Sequence, residues 1–447
     1  MTHPFWIAQQ HGHDWRDEKI LELVDWFKSK LTSDQWSQRM DAVRSRFEVA
    51  KREMLEGALP SLYNSGDTIM WYLFQAVAYA SERRDCYEPE SYRISPIFVR
   101  LSMLMPFLKE VAHIEDRLLT LMTKGRAEPD PGLFEILVAG AYKSRGWSSV
   151  VMVPEKPGIA KTQDLFVEGG RKRWAAECKH VRRNAYEQKE YETGQALAEP
   201  VHQLARQRQA WVVMEVVYLV ELETVPTDYL LNRAKQYFAD RREYSWQDEV
   251  SVGYLRDASQ NLLQRVLVTD DVYYGSSRMV ELIVGQYRQD FVHSVLGNWK
   301  ASQTMPFHAT SVRQASVVSW KSASTEATVK KAKHFRTLIA RATQQLPPDC
   351  PGAVHVGYEA MGHNSVDDVR HLQNLMGLQS FDPRGARLRW VYAYYFTPEH
   401  TTAQNESMAI SETMAYYRIG KHKTPDPLPN HLLFGDGDGQ PGNHWGF

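Results

Sequence analysis

The chain has 447 residues, 43% of them hydrophobic and 24% charged, with a formal net charge of −1 at pH 7. That composition excludes a disordered or fibrous chain and describes an ordinary globular protein of two or three domains. The near-zero charge also excludes a globally basic nucleic-acid binder, so any phosphate contact has to come from local patches. No apolar run approaches the ~20 residues of a membrane helix, and the amino terminus lacks the basic and apolar zones of a signal peptide. Three scattered cysteines, Cys86, Cys178 and Cys350, argue for reduced thiols and a cytoplasmic setting, against a disulfide framework or zinc cluster.

Residues 1–125 read as an all-helical domain for substrate binding, partner binding or dimerisation. Residues 15–31 are amphipathic, Ser33-Asp34 caps a helix running to about Leu55, residues 68–80 form an apolar helix, and 97–124 hold one or two more. His11-Gly12-His13-Asp14 has metal-ligating residue types but no further ligands in view, and reads as a polar terminus. Residues 127–131 are a linker in which Asp130-Pro131 starts a helix. In that helix Leu133, Ile136, Leu137, Gly140 and Ala141 share a face, and Gly146 stops it. Residues 149–153 are a short strand of buried type. Residues 163–167 and 172–181 then read as a hairpin joined at Gly169-Gly170.

The polar residues of this unit carry the chemistry. Glu177 and Lys179 fall on one face of the second hairpin strand, with Cys178 on the other, and Asp164 lies across from Glu177. Two carboxylates and an ammonium among Trp174, Ala175 and Ala176 need compensation, which a divalent cation supplies. Two carboxylates and the Cys178 main-chain carbonyl suit Mg2+ or Mn2+. The pattern [DE]-x-K occurs three times, as Asp17-Glu18-Lys19, Glu177-Cys178-Lys179 and Glu187-Gln188-Lys189. The first and third lie in polar surroundings and read as solvated faces.

Glu135 on a helix, Asp164, then Glu177-Cys178-Lys179, in the order α-β-β-β-α-β, resembles the PD-(D/E)XK nucleases, the restriction-endonuclease-like superfamily. Gln163 stands where the motif name has Pro. The resemblance covers roughly a fifth to a quarter of the chain. It implies that Asp164, Glu177 and the Cys178 carbonyl bind Mg2+ or Mn2+, with Glu135 in or near the same shell. It also implies that Lys179 serves the attacking water, and that products carry 5′-phosphate and 3′-hydroxyl ends. By analogy it suggests restriction or anti-phage defence, double-stranded DNA as the partner, and a homodimer or a separate ATPase beside it. A catalytically inactive DNA-binding scaffold and a nuclease acting on RNA stay open as alternatives.

The rest of the chain is read against that core, taken as residues 126–222. A helix over 194–209 carries Gln203 and Gln207, either of which could face the site, and the apolar run 211–222 is expected to be its last, central strand. Residues 223–325 form a mixed accessory module, with a helix at 228–242 and strands at 263–268 and 280–284. Residues 326–400 are a C-terminal α/β extension: a basic helix over 325–346, a strand at 352–358, a helix at 366–376 and a strand at 387–396. Residues 401–447 read as a tail, and Asp436 and Asp438 lack the remaining ligands of a calcium loop. Phosphate contacts are expected from Arg171, Lys172, Arg173, Arg182 and Arg183 around the hairpin, and from Gln203, Lys330, Lys331 and Lys333 further on. No P-loop, GxSxG or HExxH motif occurs, and residues 158–162 fall short of the first.

Overall fold

The computed structural model describes residues 6–10, 19–55, 61–81, 83–154, 162–170, 172–182, 184–240, 242–303, 305–332, 334–359, 364–400, 408–422, 431–433 and 439–441. The fold is mixed α/β, a mostly helical amino-terminal region followed by two sheets. After a short strand, β1 (Trp6–Gln10), come helices α1 (Lys19–Lys28), α2 (Ser33–Leu55), α3 (Thr68–Ala80), α4 (Glu88–Leu108), α5 (Ile114–Met122) and α6 (Asp130–Ser144). Helix α3 is apolar on nearly every side and is accordingly surrounded, by α1, α2 and α4. Helix α6 packs on α4 and on the first sheet. No helix among the described residues is long and apolar enough to cross a membrane.

The first sheet begins with the antiparallel meander β2 (Ser149–Met152), β3 (Leu165–Gly169) and β4 (Lys172–Val181). The turn between β3 and β4 uses Gly170 at φ +60°, a left-handed conformation that favours glycine. The chain then leaves this sheet. Helix α7 (Ala185–Gln207), β5 (Val212–Tyr218), α8 (Tyr229–Asp240), β6 (Tyr244–Gln247), β7 (Ser251–Asp257), α9 (Asn261–Val266), β8 (Val272–Tyr273), α10 (Ser277–Val284), β9 (Val292–Ala301) and β10 (His308–Ser322) build the second sheet and its helices. Its strand order is β6-β7-β5-β10-β8, with β9 also paired to β10. The chain returns through α11 (Thr325–Lys331) and α12 (Arg336–Thr343) to β11 (Gly352–Glu359), α13 (Asn364–Gln379), β12 (Leu388–His400), β13 (Met408–Arg418) and β14 (Gly439–Pro441). The finished first sheet runs β14-β1-β13-β12-β11-β4-β3-β2, with β11 parallel to both β4 and β12.

Each face of this sheet has its own core. Trp174, Ala176 and Cys178 of β4 join the amino-terminal helices in one apolar cluster, while Ala175, Val354, Val356 and Tyr395 pack with Phe335, Ile339 and Ala342 on the other face. Gly357 of β11 admits the ring of Phe134, since a Cβ there would stand 2.6 Å from Cε2. That close approach seats α6, and with it Glu135, against the sheet.

Several sequence readings are corrected by this topology. The run 211–222, expected to close the core beside the hairpin, is β5 of the second sheet, pairing with β7 and β10. Strand β11 takes the place beside β4. A continuous apolar run reports burial on both faces but not which sheet receives it. The strands expected at 263–268 and 280–284 are helices α9 and α10. Ser276 caps the latter by accepting the Met279 N–H at 3.1 Å, and Gly285 closes it at φ +94°. The basic helix expected over 325–346 is two, α11 and α12. The expected tail contains β13, whose buried Glu412 accepts the Leu432 and Leu433 N–H groups at 2.7 and 2.8 Å. His11, His13, Asp14, Asp17, Glu18, Asp436 and Asp438 lie outside the described residues, and Lys19 opens α1.

Candidate active site

The site lies where the β3–β4 ladder ends. The last pair is Leu165↔Ala176, so Glu177 is the first β4 residue past it. Asp164, one residue before β3, turns its carboxylate back and Oδ2 accepts the Cys178 N–H at 2.7 Å, in place of a ladder bond. Its own carbonyl accepts the Val153 N–H at 2.8 Å, which anchors the bend to β2. In a strand the N–H and C=O of one residue point the same way, so the Cys178 carbonyl opens into the gap that Asp164 lines. On the other side β11 supports the strand, with Glu177 opposite Val354 and Lys179 opposite Val356.

Glu177 is fully buried. Its Oε1 accepts a hydrogen bond from Lys179 Nζ, and its Oε2 has no donor among the described residues while both carboxyls are ionised; a proton held between Glu177 and Asp164 supplies a side-chain hydrogen bond. Burial pushes the Glu177 carboxyl up to about 8, and the neighbouring Asp164 charge adds to the rise against the pull of Lys179. Asp164 is also raised, first by its own burial; the Cys178 N–H, Lys179 and Arg117 oppose the shift. The two carboxyls therefore titrate as a pair that keeps a proton at neutral pH.

Glu135 reaches this pair through a residue that no sequence pattern pointed to. Arg117 of α5 forms an ion pair with Glu135 Oε2, and the same Nη2 lies 3.9 Å from Asp164 Oδ1. Among the described residues no group of three or more His, Cys, Asp or Glu side chains is placed to hold a metal ion. Asp164, Glu177 and the Cys178 carbonyl are thus the donors that could share a divalent cation. The expected fourth member, Glu135, is engaged by a guanidinium instead.

The other expected contacts are dispersed. Lys172 and Arg173 stand exposed on the hairpin; Arg173 pairs with Glu168 at 3.1 Å and lies 4.1 Å over the Phe166 ring. Arg182 Nη2 bonds Asp130 Oδ2 at 2.6 Å, in a cluster with Arg93 and Glu359 beside the α6 amino terminus. Gln203 donates to Glu199 at 2.9 Å on α7, a helix packed against the second sheet. Lys330 is held by Glu221 at 2.7 Å, and the buried Lys331 by Glu190 at 2.7 Å, so this run is neutralised rather than offered to a phosphate backbone. Arg171, Arg183 and Lys333 lie outside the described residues. Glu187, expected on a solvated face, is buried. Its backbone N–H bonds the side chain of Asn184, the α7 N-cap, and its own carboxylate accepts the Tyr358 hydroxyl at 3.1 Å.

Comparisons with models of protein families, with curated proteins and with solved structures found no match.

Proposed function

We propose that the chain is a metal-dependent nuclease of the PD-(D/E)XK kind acting on DNA. The observation that carries this reading is the Oε2 of a fully buried Glu177, without a donor while both carboxyls are ionised, beside a second carboxyl, Asp164, at the open end of a strand pair. Such a pair has to bind a proton or a cation, and two carboxylates with a main-chain carbonyl suit Mg2+ or Mn2+. The topology supports the same reading. Helix α6, strands β2, β3 and β4, then α12 and β11 follow the order α-β-β-β-α-β, with β11 parallel to β4. The second sheet is then an insertion in a restriction-endonuclease-like core.

In this reading Asp164 and Glu177 hold the ion, Glu177 releasing its proton as it does so. When bound, the metal supplies Lewis acidity at a phosphoryl oxygen and at a coordinated water. Lys179 Nζ, now bonded to Glu177 Oε1, turns to orient the attacking water and to offset charge on the phosphorus oxygens. The Cys178 N–H fixes the Asp164 carboxylate, and the buried Cys178 thiol, pushed up by burial, stays protonated and inert. The exposed Lys172, at the turn end of β4, supplies a phosphate contact.

The test is incubation with plasmid DNA, linear DNA and RNA, with Mg2+, Mn2+ or chelator. Metal-dependent DNA cleavage, lost in Lys179→Ala and Asp164→Ala, is expected. RNA cleavage alone would reassign the substrate, and DNA binding without cutting in either metal would leave the inactive scaffold.

A further inference from the structure

We infer that the Arg117 guanidinium takes the place of a second divalent cation between Glu135 and Asp164, so that this site holds a single metal ion. The inference rests on the metal-binding reading above and concerns its stoichiometry and the source of its remaining positive charge.

Arg117 projects from α5, a helix packed on α6, and its side chain is 14% exposed. One nitrogen, Nη2, is paired with Glu135 Oε2 and lies 3.9 Å from Asp164 Oδ1. A second cation about 3.5–4 Å from the first would need those same two carboxylates.

Charge balance agrees. Three carboxylates, Glu135, Asp164 and Glu177, face two fixed cations, Arg117 and Lys179, which leaves one net negative charge. One divalent cation and one phosphodiester bring the assembly to neutrality. A second divalent cation would raise the excess to two positive charges with the phosphodiester and three without it, an expensive state in a poorly solvated site, and loss of Arg117 removes one of those charges. Arg117 is thus a positioning residue for Asp164 that also supplies the charge a second ion would bring.

The count of bound Mn2+ per full-length chain, without DNA, tests this by calorimetry and electron paramagnetic resonance. One ion is expected on the wild-type chain, two with an exchange-coupled spectrum on Arg117→Gln, and one again on Arg117→Gln/Glu135→Gln. Two ions on the wild-type chain, or one on a folded Arg117→Gln, would overturn the inference. No ion on the wild-type chain would instead sink the metal-binding reading, and the inference with it. Should Arg117→Gln fail to fold by circular dichroism, the wild-type count decides alone.

Discussion

Replacing Glu177 by Gln is expected to stabilise the metal-free protein at alkaline pH. Glu177 is fully buried, and its carboxyl is pushed from an ordinary 4.5 up to about 8. A carboxyl whose affinity for its proton is raised by folding contributes its full stability below about 4.5. That contribution is lost as pH rises to about 8, where the folded chain is forced to ionise. Each tenfold change in proton affinity is worth about 1.4 kcal/mol, so the loss is on the order of 3–5 kcal/mol, shared with Asp164. Glutamine matches the shape of the protonated acid; it accepts from Lys179, donates toward Asp164 and does not titrate. Thermal unfolding in chelator from pH 5 to pH 9 reads the effect. The two proteins should unfold together at pH 5, and Glu177→Gln should unfold about 3–5 °C higher at pH 9. Asp367, also buried and pushed up to about 7, titrates in both proteins, so the difference between them is the informative quantity. Adding Mn2+ at pH 9 should raise the wild-type transition and leave Glu177→Gln where it was. A wild-type protein at least as stable as Glu177→Gln in chelator at pH 9 would refute the reasoning.

Other outcomes follow from the same geometry. Lys179→Met should abolish cleavage while one Mn2+ still binds in calorimetry, because Lys179 serves the water and not the ion; lost metal binding would assign it a structural role. Gly357→Ala should lower stability by about 1–3 kcal/mol in denaturant titration, since the new Cβ meets Phe134 at 2.6 Å. Lys172→Glu should weaken DNA binding and reduce the slope of log affinity against log salt by about one. Lys330→Ala should leave both nearly unchanged, because Glu221 already engages that charge.

What the sequence made legible was local. Residues 68–80, 163–181, 352–358 and 387–396 carry their periodicity and turn chemistry within a few residues, and the elements found there agree to within a few positions. Asp164, Glu177 and Lys179 were visible because a hairpin brings near neighbours together, although Asp164 sits in the bend before β3 and not within it. Two kinds of fact were hidden. One is partnership over long separations: nothing in residues 211–222 or 352–359 says which of them lies beside β4, and nothing near Arg117 marks it as the partner of Glu135. The other is the ambiguity of short apolar runs, as at 263–268 and 280–284, both of which are helical; Ser276 and Gly285 cap the second. The basic run at Lys330 and Lys331 misled because charge in a sequence does not show its counter-charge in space.

The placement of the second sheet has a consequence for biogenesis. Asp164, Glu177 and Lys179 emerge from the ribosome early, yet the strand that backs them, β11, is made only after the whole of α7 through β10. Until then one edge of β4 is bare, and only the β2–β4 meander holds its acids in register. Pairing across so long an excursion is slow relative to local folding. On the proposed reading, the complete site cannot form on a nascent chain before β11 has been made.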